Sequence, residues 1–126
     1  VMIGYVSDEE LIWLYRNCYA NLYPSLFEGF GLPVLEGMQI GAPTLASNCT
    51  SISEVAGDAA ILLDPEDTEG WAQAMLRLSA SSHERDHLIG SAMLQADRFD
   101  WKTSATALLH LYEEAIVFPK RINLVR

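Results

Sequence analysis

The chain has 126 residues, which is enough for one domain with a hydrophobic core of its own. Half of the residues are hydrophobic and a fifth are charged, a composition that excludes an intrinsically disordered protein. Eight Lys and Arg stand against 17 Asp and Glu, and the resulting net charge of −9 argues against a nucleic-acid-binding protein. No apolar run approaches the roughly 20 residues that a membrane-spanning helix needs.

Short apolar runs alternate with helical segments along the first half of the chain. This alternation is typical of an α/β protein with a mostly parallel sheet, and strands covered on both faces are short and apolar. The predicted strands are Met2–Val6, Ala20–Tyr23, Thr44–Ser47 and Ala60–Leu63.

The helices between these strands are marked by capping residues and breakers. The first helix is predicted to begin at Ser7, because Ser7 and Glu10 have the spacing of a capping box. A second helix is predicted from Pro33 to about Ile40, ended by Gly41. The apolar face of the first helix consists of Leu11, Leu14, Tyr15 and Cys18.

Only helices are predicted after the last strand, at about residues 69–79, 84–97 and 101–116. Asp100 is the predicted N-cap of the final helix, and Trp71 and Trp101 are predicted core residues at the starts of amphipathic helices. The predicted buried face of the final helix consists of Trp101, Ala105, Leu108, Leu109, Tyr112 and Ile116.

The most informative segment is Glu28-Gly29-Phe30-Gly31-Leu32-Pro33-Val34-Leu35-Glu36. Glycine allows turns that are closed to other residues, and proline is well placed in the first turn of a helix. The segment therefore predicts a helix N-terminus with free backbone N–H groups from Phe30 to Leu32, which is a site for an anion such as phosphate. Carboxylates at both ends of the segment suit a ligand that also carries sugar hydroxyls.

Two glutamates separated by seven residues around Gly-Phe-Gly-Leu-Pro resemble the donor-binding motif of the GT-B glycosyltransferases, in particular family 4 (glycosyl transferases group 1). Four further segments lie in the family's order and at its spacing, and the resemblance extends over nearly the whole chain except its last ten residues. These segments are residues 4–11, Tyr23-Pro24-Ser25, Gly41-Ala42-Pro43 and residues 57–60. The resemblance implies a Rossmann-like parallel sheet with flanking helices and a helical C-terminal portion. It also implies that the chain is the C-terminal part of the donor-binding domain of a GT-B enzyme.

The resemblance also implies roles for particular residues. Glu28 is expected to contact hydroxyls of the donor sugar beside the reacting carbon, and Glu36 is expected to bind the ribose of the nucleotide. The backbone of residues 29–32 (Gly29, Phe30, Gly31 and Leu32) is expected to bind the donor, and Val6 and Asp8 match positions that flank the base.

Each assignment has a plainer alternative. Glu28 could be an ordinary loop residue, and Glu36 could serve only the helix dipole. The side chain of Phe30 could simply fill the core, Asp8 could cap the first helix, and Ser25 could belong to a common turn.

The implied substrate is a nucleotide-diphospho-sugar, with retention of configuration, no cofactor and no metal. The resemblance implies that the family's first strand, with its Arg/Lys pair, and the N-terminal acceptor domain lie outside these 126 residues. Residues 1–126 are therefore expected to be a partial donor domain that is inactive alone. The unpaired edge of the strand at Met2–Val6 predicts association with a second copy.

No basic start or long apolar stretch suggests a signal peptide, so a cytoplasmic protein is expected. The basic segment at residues 119–126 is compatible with a peripheral position of the parent enzyme at the inner membrane face.

Two other classes of function remain open at this stage. Paired carboxylates also serve glycosidases, although these need no phosphate site. A non-catalytic interaction module is the other alternative.

The cysteines and histidines do not indicate a metal site. Cys18 and Cys49 lack metal-ligand spacing and are expected to be reduced, and His83 and His87 lack a third ligand.

Overall fold

The structure, a computed structural model, describes residues 1–117. In these residues three parallel strands, β1 (Asn21–Tyr23), β2 (Thr44–Ser47) and β3 (Ile61–Leu63), form one sheet in that order. Leu22 lies opposite Leu45, and Leu45 lies opposite Ile61. The predicted α/β fold with a Rossmann-like parallel sheet and a helical C-terminal portion is confirmed. The elements are α1 (Asp8–Asn17), β1 (Asn21–Tyr23), α2 (Leu32–Ile40), β2 (Thr44–Ser47), α3 (Ile52–Ala56), β3 (Ile61–Leu63), α4 (Thr68–Ala80), α5 (Ser82–Ala96) and α6 (Trp101–Val117).

The central strand β2 separates two hydrophobic clusters. Its neighbouring residues Leu45 and Ala46 belong to different clusters, because successive side chains of a strand point to opposite faces. Ala46 packs with residues of α2, α3 and α5, among them the fully buried Met38. Leu45 packs with Trp71, Ala74 and Leu78 of α4 and Leu88 of α5. Both faces of the central strand are therefore covered, as its short apolar run predicted, whereas Leu22 of the edge strand β1 is exposed.

Trp71 is buried, as predicted, and its indole N–H donates to the carbonyl of Asp64 at 2.9 Å. The basic segment at residues 119–126 lies outside the described residues.

The predicted strand at Met2–Val6 is wrong. Residues 1–7 have no regular secondary structure, and the side chains of Met2, Ile3 and Tyr5 are exposed. Gly4 has φ +70, which takes the backbone out of the extended conformation, and no strand within residues 1–117 pairs with this segment. The strand edge that was expected to recruit a second copy is therefore absent from the part of the chain that the structure describes.

The helix that follows begins as predicted. The hydroxyl of Ser7 accepts from the N–H of Glu10 at 3.3 Å, and the Glu10 carboxylate accepts from the N–H of Ser7 at 2.8 Å, which completes a capping box. The predicted apolar residues of α1 are its less exposed ones, although none of them is fully buried.

The short helix α3 was not predicted. Its five residues include Ile52, Val55 and Ala56, which are all buried in the cluster beneath α2. A single turn of helix is too short for a periodic pattern to be recognised. The spacing of these three residues at i, i+3 and i+4 is the signal that was available.

The final helix α6 is present and Asp100 caps it, since its carboxylate accepts from the N–H of Thr103 at 2.9 Å. Its predicted buried face is wrong. Trp101 is 83% exposed and Ile116 is 80% exposed, and the other described residues of the helix are exposed as well. An apolar stripe predicts that one face of a helix is buried, but no element within residues 1–117 covers the apolar face of α6.

Candidate functional site

Two loops meet at the carboxyl ends of the neighbouring strands β1 and β2. The N–H of Glu28 donates to the hydroxyl of Thr50 at 3.1 Å, and the hydroxyl of Ser51 donates to the carbonyl of Glu28 at 3.1 Å. The thiol of Cys49 donates to the carbonyl of Ser25 at 3.2 Å. Because the strands are parallel, the loops that follow them lie at the same edge of the sheet, which is where open α/β sheets bind their ligands.

The carboxylate of Glu28 is held by one of its two oxygens. The hydroxyl of Tyr23 donates to Oε1 at 2.5 Å, and the hydroxyl of Ser25 donates to the same oxygen at 2.8 Å. These hydrogen bonds, first from Tyr23 and then from Ser25, lower the pKa of Glu28. The bond to Glu28, with burial as a smaller cause, raises the pKa of Tyr23 to about 12. At neutral pH the pair is therefore a neutral phenol and a charged carboxylate.

The turn after Glu28 leaves backbone N–H groups at the start of α2 without a hydrogen-bond acceptor in the described residues. Gly31 has φ +93, and its carbonyl accepts from the N–H groups of Val34 at 3.0 Å and Leu35 at 3.3 Å. Within residues 1–117, the N–H groups of Phe30, Gly31 and Leu32 have no protein acceptor. Free N–H groups at the positive end of a helix dipole form an anion site.

The side chain of Phe30 is 41% exposed, so the alternative in which it fills the core is wrong, but it does contact an aromatic neighbour. Its ring meets the ring of Phe99 edge to face, with centroids 5.9 Å apart and an interplanar angle of 87°. Phe99 in turn packs against the cluster beneath α2. The aromatic contact therefore helps to fix the turn while the backbone N–H of Phe30 remains available.

Glu36 lies in the same helix, five residues after Gly31, and is half-buried. Burial and, to a lesser extent, the negative charge of Glu36 raise the pKa of Tyr15. The hydroxyl of Tyr15 donates to the carbonyl of Pro33 at 3.2 Å, and the side-chain amide of Asn21 donates to the same carbonyl at 3.4 Å. Side chains from α1 and β1 thus fix the first turn of α2, and with it the position of Glu36.

Val6 and Asp8 are not joined to this cluster by hydrogen bonds within residues 1–117. Val6 is half-buried in the irregular segment before α1, and Asp8 is exposed in the first turn of that helix. Ser7, and not Asp8, supplies the side-chain cap. Asp8 lies in the first turn, where its carboxylate favours the positive end of the helix, so its structural role is present. Contact of Val6 and Asp8 with a base stays a prediction.

Sequence reasoning missed the partners of Glu28. The sequence pattern identifies Tyr23 only as the end of a strand that is followed by Pro24 and Ser25. It indicates no role for Thr50 or Ser51. The spacing of Tyr23 and Ser25, five and three residues before the glutamate, was a signal that could have found two of them. No sequence signal links Glu28 to Thr50, because 22 residues separate them.

Three further observations complete the description of residues 1–117. No cluster of three His, Cys, Asp or Glu side chains is arranged to hold a metal ion in this part of the chain. No helix among these residues combines the length and apolar character needed to cross a bilayer. Cys18 and Cys49 are half-buried free thiols, as expected.

The three parallel strands and the flanking helices of residues 1–117 have the Rossmann-like arrangement of a GT-B half-domain. Residues 1–94 match the family described as glycosyl transferases group 1, and the chain belongs to this family. A solved structure of sucrose-phosphate synthase from Thermosynechococcus elongatus has the same fold, with a TM-score of 0.83 over 93% of this chain and 30% of that chain, at 24% sequence identity.

Curated relatives include two bacterial mannosyltransferases. O-antigen chain mannosyltransferase B of Escherichia coli is 38% identical over 111 residues, which are 88% of this chain and 29% of the relative. MMP alpha-(1->4)-mannosyltransferase of Mycolicibacterium hassiacum is 35% identical over 115 residues, 88% of this chain and 28% of the relative. The chain therefore spans less than a third of the length of either of these relatives.

Proposed function

We propose that this chain is the donor-binding part of a longer glycosyltransferase that moves a sugar from a nucleotide-diphospho-sugar to an acceptor hydroxyl with retention of configuration. The acceptor domain would lie in the remainder of that longer protein. Several of the curated relatives, including the two described above, are mannosyltransferases, which makes mannose the first sugar to test. The chain by itself is expected to be inactive, because transfer needs both substrates held in a reactive geometry.

The observation that carries the proposal is the juxtaposition of Glu28 with the start of α2. In the reaction, the bond between the anomeric carbon and the diphosphate breaks and a bond to the acceptor oxygen forms. The free N–H groups of Phe30, Gly31 and Leu32 are suited to stabilise the negative charge that develops on the departing diphosphate. A paired-carboxylate glycosidase would have no use for these groups.

The two glutamates are proposed to hold different parts of the donor. Glu28 binds hydroxyls of the sugar beside the reacting carbon, and Glu36 binds the ribose hydroxyls. Val6 and Asp8 flank the base, and Gly29 gives the backbone room to approach the donor. These roles, retention and independence of a metal rest on the resemblance of the motif to family 4.

The test replaces each glutamate by glutamine in the full-length protein. Glu36→Gln should weaken binding of the nucleotide diphosphate and raise KM, because the uncharged ribose hydroxyls are bound equally in the ground state and the transition state. Glu28→Gln should lower kcat by roughly ten- to a thousand-fold, or about 1.4–4 kcal/mol, with little change in nucleotide affinity.

Calorimetry with UDP and with GDP, beside steady-state kinetics with UDP-glucose and GDP-mannose, measures both effects. Glu114→Gln on the exposed face of α6 is the matched control and should leave all constants unchanged. If Glu28→Gln loses nucleotide affinity and Glu36→Gln does not, the two roles are reversed and the assignment fails. Release of free sugar from a glycoside in the absence of nucleotide would favour a glycosidase instead.

A further inference from the structure

Glu28 is tied to its surroundings more completely than a loop residue needs to be. Its N–H and carbonyl are bonded to Thr50 and Ser51, so its backbone is already fixed by the loop that follows β2. The two side-chain bonds, from Tyr23 and Ser25, are therefore additional to what holds the loop in place. They act on the carboxylate itself.

Both side-chain donors converge on the same oxygen. The hydroxyl of Tyr23 donates to Oε1 at 2.5 Å, and the hydroxyl of Ser25 donates to it at 2.8 Å. Oε2 accepts no hydrogen bond from residues 1–117. A carboxylate with one anchored oxygen can rotate little about its last bond, so the direction of Oε2 is set in advance of ligand binding. Such preorganisation avoids an ordering cost when the ligand arrives.

We propose, on the basis of the glycosyl transfer proposed above, that Tyr23 and Ser25 are positioning residues that anchor Oε1 of Glu28 so that Oε2 is the oxygen that binds a hydroxyl of the donor sugar. Tyr23 is suited to this task because it is the last residue of β1, so its backbone is held by the sheet. The two donors also keep Glu28 ionised, as the lowered pKa of its carboxyl indicates.

The anchor is tested first without any enzyme assay. Carbon-13 NMR of the side-chain carboxyls of the 126-residue chain follows the titration of Glu28, whose signal is assigned by its loss in Glu28→Gln. Glu28 should titrate below the usual range of glutamate, and both Tyr23→Phe and Ser25→Ala should move its midpoint upward. Tyr19→Phe is the matched control, because that hydroxyl donates to the carbonyl of Leu78 instead. If neither Tyr23→Phe nor Ser25→Ala moves the titration midpoint of Glu28, the proposal that these residues anchor its carboxylate is refuted.

The positioning role is tested by kinetics in the full-length protein, with GDP-mannose and UDP-glucose as the donors offered. Tyr23→Phe should lower kcat about ten- to a hundredfold, because a displaced carboxylate no longer meets the sugar correctly. It should also shift the acid limb of the kcat profile to higher pH, while the affinity for GDP or UDP in calorimetry stays unchanged. Tyr19→Phe should leave all of these quantities at their wild-type values.

The outcomes distinguish this inference from the proposed function. A Tyr23→Phe protein with wild-type kcat and acid limb overturns the positioning role, as does one whose main defect is weaker nucleotide binding. A wild-type protein that transfers from neither donor counts against the glycosyl transfer and removes the positioning role with it. The NMR titration would then still decide whether Glu28 is anchored.

Discussion

Gly31→Ala is the substitution for which the structure predicts the clearest combined loss of stability and binding. Gly31 is buried at φ +93, a backbone conformation that costs an L-residue roughly 1–2 kcal/mol. A Cβ at this position would lie 3.3 Å from Cγ1 of Ile52, so the buried isoleucine must also move by a few tenths of an ångström. Overpacking of this kind adds about 1 kcal/mol. The expected loss in the free energy of unfolding is therefore about 2–3 kcal/mol.

Urea unfolding of the 126-residue chain, followed by circular dichroism, measures this loss. With a denaturant dependence of roughly 1–3 kcal/mol per molar urea for a domain of this size, the midpoint should fall by about 1 M or more. Relief of the strained φ would also rotate the peptide group that carries the N–H of Leu32. Binding of UDP or GDP to the full-length protein should therefore weaken in the same variant.

Gly29→Ala is the matched control within the same motif. A Cβ at Gly29 meets no atom within 4 Å, and Gly29 does not have a positive φ. Its stability should stay within about 0.5 kcal/mol of the wild type. If Gly31→Ala is as stable as Gly29→Ala, the left-handed turn is not needed to start α2 and the reasoning is refuted.

Three further predictions concern the core, a helix cap and pH. Met38→Ala removes a fully buried side chain between α2 and the sheet and should lower the free energy of unfolding by about 2–5 kcal/mol in urea titrations. Asp67→Ala removes the cap that accepts from the N–H of Gly70 at 2.9 Å and should cost about 1 kcal/mol in the same assay. The bond to Glu28 raises the pKa of Tyr23 from 10 to about 12, so its contribution to stability should be complete below pH 10 and lost as the pH rises through about 12. In Glu28→Gln, unfolding titrations between pH 10 and 12 should show a smaller decline, and an unchanged decline would contradict the pairing.

The amino-acid sequence was sufficient wherever a feature depends on residues close together in the chain. The sequence predicts the capping box at Ser7. It also predicts the helix α2, which begins after Gly31, and its end at Gly41. The strands β1, β2 and β3 were predicted within a residue, since each is a short apolar run between breakers. The free N–H groups at Phe30–Leu32 were predicted for the same reason, because a turn and the helix after it are set by local backbone preferences.

The tertiary structure decided every feature that needs a partner from elsewhere in the chain. Met2–Val6 has the composition of a strand, but a strand forms only where another strand offers hydrogen bonds to it. Helix α6 has an apolar stripe, but burial requires a surface to pack against, and none lies within residues 1–117. The motif marks Glu28 as a candidate site residue, yet the hydrogen bond from its backbone N–H to Thr50 forms only when two parallel strands bring their loops together. Local preference thus determined which elements can form and where they begin. Long-range contact determined which of them are buried or paired and how the backbone of Glu28 is held.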